Sequence, residues 1–253
     1  MRYVDRNGVR VAYEDHGRGP AVLLTHGYGA TSRMWDPQIR SFVDRRRMIV
    51  WDIRGHGASD SPQDPMAYSE AASVDDMAAI LDACGVETAV VGGLSLGGYL
   101  SLAFHLAHPA RVRALALFDT GPGYRNDEGR KRWNAMAESY ARALEQRGID
   151  ALGASTEVQA SEHGSARGLA LAARGILTQH DSRVIDALPA IAVPTLVLWG
   201  ERDEAFVKPG EYMAAKIPGA RRVVVAGAGH AANLDRPAEF NAALTQFLES
   251  VSG

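Results

Sequence analysis

The sequence predicts an α/β protein: a mostly parallel sheet of eight strands with helices on both faces and one inserted helical segment. Three observations carry this. Short, nearly continuous apolar runs recur at 21–26 (AVLLTH), 47–52 (RMIVWD), 88–93 (TAVVGG), 114–119 (ALALFD), 195–200 (TLVLWG) and 222–227 (RVVVAG), as expected of strands covered on both faces. Helix-sized segments, several rich in alanine and leucine, lie between them. Finally, about 70 residues between the fourth and fifth runs hold no convincing strand, too many for a simple crossover.

Taken in order, the chain opens with a hairpin. YVDR and VRVAYED alternate apolar and polar residues around Asn7-Gly8, a strong two-residue turn signal, and supply the first two strands. The alternation of buried strands with helices starts after Gly17, Gly19 and Pro20. Asp36-Pro37 fits an N-cap and first residue for a helix ending near Asp44, and Arg45-Arg46-Arg47 reads as a solvated helix end before a strand. Residues 71–84 and 97–107 are the next helices. Cys84, the only cysteine, precedes Gly85 at a helix end and reads as a packing residue, since a lone cysteine has no intramolecular disulfide partner.

In the inserted segment Trp133, Met136, Tyr140 and Leu144 fall on one helical face, with Arg130, Lys131, Arg132, Glu138 and Arg142 around it. Such a face either docks the segment onto the core or lines a substrate pocket; docking is the ordinary role of any one such residue. Gly121-Pro122-Gly123 and Pro189 to Pro194 punctuate the ends. The expected division is a core of residues 1–120 and 190–253 with a helical cap at 121–189.

Composition narrows the partners. With 46% hydrophobic and 23% charged residues the chain is an ordinary globular one. A formal net charge of −3 argues against nucleic acid or anionic membrane as partner, because both need concentrated Lys and Arg. The first residues hold no apolar signal region and no 18-residue uncharged apolar run occurs, so a cytoplasmic protein acting on a small-molecule substrate is expected.

Gly93-Leu94-Ser95-Leu96-Gly97 matches G-x-S-x-G, in which a serine occupies a sharp turn from strand to helix. A serine hydroxyl is a weak nucleophile, so catalysis needs a base beside it and a third group to orient that base. His230, in VVVAGAGHAANLDRP just past the last strand, is the candidate base. Asp203, in LVLWGERDEAF just past the preceding strand, is the candidate acid. Asp119 ends an earlier strand at the same edge and is the rival acid; Glu201 reads as a turn residue. The order Ser, Asp, His suits this architecture. Backbone N–H groups of Leu96, after the nucleophile, and of Tyr28, in the loop after the third strand, are the expected oxyanion donors. With His230 as base, kcat/KM is expected to fall on the acid side. His105 and His108 share a helix, but no further ligand completes a metal set, and neither metal nor cofactor is expected.

With these residues in place the chain resembles the α/β-hydrolase superfamily. The resemblance rests on the H-G-x-G loop at 26–29, DIRGHGASDSP at 52–62, GLSLGG at 93–98, WGERDE at 199–204 and AGAGHAANLDRP at 226–237, and so spans almost the whole length. Asp52, Arg54 and His56 are read as structural. Within the superfamily MWDPQ, DIRGHGASDSP and GLSLGG look like 3-oxoadipate enol-lactonases and small carboxylesterases, which implies a serine hydrolase of a small, fairly apolar ester or lactone. Epoxide hydrolases and haloalkane dehalogenases carry aspartate at the elbow, where this chain has Ser95. C–C hydrolases typically have asparagine before the nucleophile and tryptophan after the histidine, where this chain has Leu94 and Ala231. Two other readings share the scaffold: C–C bond cleavage or lyase chemistry on the same triad, and a ligand sensor with slow turnover.

Overall fold

The computed structural model describes residues 1–251. Eight strands form one sheet: β1 (Arg2–Arg6), β2 (Val9–His16), β3 (Ala21–Thr25), β4 (Arg47–Trp51), β5 (Ala89–Leu94), β6 (Val112–Phe118), β7 (Thr195–Gly200) and β8 (Arg221–Val225), in the order β1-β2-β4-β3-β5-β6-β7-β8. The β1–β2 and β2–β4 pairs are antiparallel and the rest parallel. Asn7 (φ 57°) and Gly8 (φ 81°) form the hairpin turn, whose twist suits the flanking strands.

β3 leads to β4 on one side while its neighbour β5 leads to β6 on the other, so connections leave this adjacent pair in opposite directions. A crevice opens at the carboxyl edge of such a switch point, and ligands of open α/β sheets bind there.

The apolar runs of β3 to β7 are continuous because both sheet faces are covered there, whereas on the edge strand β8 Arg222 and Val224 are exposed, so its run is not covered on both faces as expected. On β3, Leu23 packs into one core cluster, with Met77, Leu100 and Phe104, while Val22 and Leu24 pack into the other, with Trp35, Phe118 and Phe240. Helices α1 (Asp36–Phe42), α2 (Glu70–Ala83) and α3 (Leu96–Ala107) alternate with strands in the first half. The start of α1 differs from expectation: Trp35 precedes the helix, Asp36 and Pro37 are its first two residues, and it ends at Phe42. A 3₁₀ turn, Ser32–Trp35, runs directly into it, so Asp36 already has helical dihedrals (φ −52°, ψ −42°) and is not needed as a cap.

The basic run also differs from a merely solvated end. Arg45 is exposed, but Arg46 Nη2 donates to Leu248 O at 3.0 Å, and Arg47 opens β4 and donates to both Asp15 carboxylate oxygens at 2.8 Å. Cys84 is buried, and burial raises its thiol to about 11, as suits packing.

Among the described residues no strand lies between Phe118 and Thr195. This inserted helical region consists of α4 (Asp127–Arg147), α5 (Thr156–Gln159), α6 (Ala166–Ala172), which continues into a π turn at Ala173–Leu177, and α7 (Arg183–Ala187). Asn126 caps α4, its Oδ1 accepting from Gly129 N–H at 2.6 Å. The helix docks through Ala137, Ala141 and Leu144, which are buried. Arg174 ties it down by pairing with Glu138 at 2.7 Å and with Glu145. Helices α8 (Glu204–Lys216), α9 (Ala232–Asp235) and α10 (Pro237–Ser250) complete the chain. No described helix is long and apolar enough to cross a membrane.

Candidate active site

Ser95 joins β5 to α3 with φ 55° and ψ −116°, a left-handed backbone that a residue with a Cβ adopts only when its surroundings impose it, at a cost of about 1–3 kcal/mol. Those surroundings are visible. Ser95 N–H donates to Phe118 O at 3.0 Å, and Ser95 O accepts from the Thr120 hydroxyl at 2.6 Å and from the N–H groups of Gly98 and Tyr99. Close packing completes the elbow. A Cβ at Gly97 would lie 2.1 Å from Thr25 O, and one at Gly92 2.4 Å from Ala116 O on the neighbouring strand. Neither position admits a side chain while the backbones stay where they are.

Asp203 ends the turn after β7, and His230 follows β8. His230 Nδ1 and Asp203 Oδ2 are 2.7 Å apart, so Nδ1–H donates to the carboxylate and the Nε2 lone pair is left available. Asp203 is buried, whereas the His230 side chain is 32% exposed and stacks on the Phe206 ring, centroids 5.0 Å apart. Ser95, His230 and Asp203 all line a cavity of about 780 Å³. Among the described residues the Ser95 hydroxyl makes no hydrogen bond, and Oγ is therefore uncommitted in this conformation.

Of the rival acids, Asp119 is the more informative. It is fully buried with φ 43°, its Oδ1 accepts from Gly200 N–H at 2.7 Å, and its Oδ2 is buried without a partner. Burial, reinforced by the adjacent Asp203 carboxylate, pushes its pKa well above the ordinary 3.8. Asp119 thus pins the β6 end to the β7 end through Gly200 N–H, with burial favouring its neutral form, and Asp203 is the one that holds His230. Glu201 does act in a turn: its Oε2 accepts from Gly227 N–H at 2.9 Å.

The loop after β3 runs directly against the elbow, since a Cβ on Gly27 would stand 3.4 Å from Ser95 Cβ. Tyr28 and Leu96 both line the cavity, and neither backbone N–H has an acceptor among the described residues. The Tyr28 ring bridges to the inserted region, stacking on Tyr140 (6.1 Å, 7° between planes) and donating its hydroxyl to Leu169 O at 2.9 Å.

Against this loop is a cluster of three histidines that sequence reasoning missed as a unit. The His26 and His56 rings are 5.1 Å apart, and those of His56 and His163 are 5.7 Å apart. Each ring accepts one backbone N–H, from Ile53, Gly29 and Gly57 respectively, and donates to one carbonyl, of Gly27, Arg54 and Gly29. That pattern requires neutral imidazoles. Burial accordingly lowers all three, His26 to about 4. The DIRGHGASDSP segment is structural, as read: Asp52 accepts from Ser32 and Ala58 N–H, and Arg54 grips Asp76 at 2.6 and 2.8 Å. His26 and His56 sit in motifs, but nothing in the sequence marks His163.

Trp133, Met136 and Tyr140 line the cavity beside Tyr99, Leu144 and Leu177, so on α4 the aromatic face is exposed to the cavity while the alanines dock. Trp133 does both, donating Nε1–H to Leu177 O at 2.7 Å. Glu157 and Gln179 also line the cavity and carry no signal in the sequence.

A strained serine on a strand-to-helix elbow, a histidine–aspartate pair at the same sheet edge and a helical insertion above them are the features of an α/β-hydrolase. The sequence profile of the Alpha/beta hydrolase family matches residues 22–243, and the chain belongs to that family. It is 28% identical to a putative 2-succinyl-6-hydroxy-2,4-cyclohexadiene-1-carboxylate synthase of Bacillus subtilis, with 97% of each chain covered. It is also 28% identical to 3-oxoadipate enol-lactonase 1 of Acinetobacter baylyi, with 98% of this chain and 96% of the relative covered. Among solved structures it is similar to a thermophilic esterase of Thermogutta terrifontis, with TM-score 0.87, 28% identity and 100% of both chains covered.

Proposed function

We propose that the protein is a cofactor-free serine hydrolase that cleaves a carboxylic ester or lactone of a small, fairly apolar substrate. The observation that carries this is the 2.7 Å contact between His230 Nδ1 and Asp203 Oδ2, with both residues lining the same cavity as Ser95. In this reading residues 121–189 form a cap over the cavity, and 1–120 with 190–253 form the core.

Ser95 Oγ attacks the substrate carbonyl while His230 Nε2 takes its proton, and Asp203 stabilises the imidazolium that results. The oxyanion of the tetrahedral intermediate is held by the unspent N–H groups of Tyr28 and Leu96. Collapse expels the alcohol, protonated by His230, and leaves an acyl group on Ser95. Water, deprotonated by the same imidazole, then releases the acid. The largely apolar walls, Trp133, Met136 and Tyr140 among them, suit hydrocarbon portions of a substrate.

A fluorophosphonate probe followed by peptide mass mapping tests this, with the adduct expected on Ser95. Ser95→Ala is expected to lower kcat on p-nitrophenyl esters by about 10⁶-fold. An adduct elsewhere, or full turnover in the variant, overturns the reading. The Bacillus subtilis relative named as a synthase supports a second reading, lyase chemistry on the same triad. That reading expects labelling of Ser95 without hydrolysis of simple esters.

A further inference from the structure

Two buried side chains in the cavity wall, Glu157 and Gln179, hold polar groups that no protein atom uses among the described residues. Glu157, on α5, is 9% exposed and lines the cavity; its Oε1 accepts from the Ser155 hydroxyl at 2.7 Å, and its Oε2 has no partner among the described residues. Gln179 is held rigidly: its backbone N–H and carbonyl both bond the Asn134 amide at 2.8 Å, and its Oε1 accepts from Tyr124 N–H at 3.2 Å. That leaves the Gln179 Nε2 donors unspent.

The charges are unequal. The wall has one guanidinium, Arg132, whose side chain is 71% exposed and paired with Glu128 at 3.5 Å. No arginine or lysine pairs with Glu157 among the described residues. The position of α5 brings this carboxylate to the catalytic side. The Thr156 hydroxyl donates to Asp235 on α9, just past His230, at 3.1 Å, and Val158 packs by Gly29 of the loop that carries Tyr28.

We propose that Glu157 is a specificity residue that selects esters bearing an ammonium group on the acyl or alcohol portion and rejects those bearing a carboxylate. This rests on the ester-hydrolase reading above. A mostly buried carboxylate satisfied by a single neutral hydroxyl gains strongly from a cation that enters without a hydration shell, and a second carboxylate meets like-charge repulsion at the same place. Gln179, a neutral donor, serves acceptor groups such as a carbonyl and adds no charge preference.

The test uses the full chain with two matched series: methyl hexanoate, methyl 6-aminohexanoate and monomethyl adipate; and hexyl acetate, 6-aminohexyl acetate and 6-acetoxyhexanoate. In at least one series kcat/KM for the ammonium ester is expected to exceed that for the carboxylate ester by about tenfold or more. Glu157→Gln, which keeps an oxygen for the Ser155 hydroxyl, is expected to reduce that ratio about tenfold, mainly through KM. The proposal is overturned if the neutral parents are hydrolysed but carboxylate esters are equal or better in both series, a result that needs no variant. It is overturned equally if Glu157→Gln, folded by its thermal melt, leaves the ratio unchanged. If the neutral parents are not hydrolysed, the hydrolase reading has failed, and calorimetry with Ser95→Ala decides this one: hexylammonium must bind more tightly than hexanoate, and Glu157→Gln must abolish the difference.

Discussion

Replacing Asp119 and Asp203 in turn by asparagine separates the two carboxyl groups at the catalytic edge. Asp203 accepts the Nδ1–H of His230 at 2.7 Å. An asparagine there turns an NH₂ group toward the ring or leaves the imidazole in the wrong tautomer, and kcat is expected to fall by about 10⁴, equivalent to ~5.5 kcal/mol at ~1.4 kcal/mol per tenfold. Burial favours the neutral form of Asp119, its Oδ1 accepts from Gly200 N–H, and asparagine can repeat that bond. Asp119→Asn is expected to change kcat by less than about threefold, since it restores the same hydrogen bonding.

Stability provides a second readout. Asp119 has its pKa raised in the folded protein above the ordinary 3.8, so the native state binds more protons and stability is lost as pH rises above that value. Asparagine removes this loss. The melting temperature of Asp119→Asn relative to wild type should therefore climb between about pH 4 and pH 8, by ~2–4 °C for each kcal/mol recovered in a chain of this size. Steady-state kinetics on a p-nitrophenyl ester and melts at several pH values read both effects. A large loss of kcat in Asp119→Asn with a mild one in Asp203→Asn would refute the assignment of the acid. A pH-independent difference in melting temperature would refute the raised pKa of Asp119.

Other expectations are more local. Gly97→Ala puts a Cβ 2.1 Å from Thr25 O, where only backbone movement relieves the clash; it should cost ~1–3 kcal/mol in denaturant melts and at least ~10²-fold in kcat through displacement of Ser95. The buried His26, lowered from 6.5 to about 4, stays neutral when folded, so the unfolded chain takes up protons first as pH falls; about 3 kcal/mol should be lost between ~pH 6.5 and ~pH 4, seen as a falling melting temperature. His26→Gln should flatten that slope, and an unchanged slope would remove His26 as its source. Because His230 must be neutral to accept the Ser95 proton, kcat/KM should decline on the acid side, and a flat profile would exclude that role.

Much of this molecule was legible locally. The strands from β3 to β7 read as apolar runs because parallel strands covered on both faces need apolar residues on both sides, and the elbow read as G-x-S-x-G because its glycines are required within a few residues of Ser95. Gly92 is different: it follows a strand pattern, yet what excludes a side chain is Ala116 O on another strand. The start of α1 shifted by one residue because the preceding 3₁₀ turn, which the pattern does not display, already set its dihedrals.

The sequence by itself determined the architecture, the inserted helical region and the few residues among which a nucleophile, a base and an acid had to be sought. The folded structure was needed to tell which carboxyl group meets His230, because Asp119 and Asp203 both follow strands at the same edge and only sheet geometry makes one a buried clasp on Gly200 and the other the partner of the imidazole. It alone brought His163 onto His56, and placed Glu157 and Gln179 in the cavity wall. The physical reason is common to all of them: strand and elbow signals come from contacts close along the chain, whereas burial, charge environment and unspent hydrogen bonds are set by residues tens to hundreds of positions away.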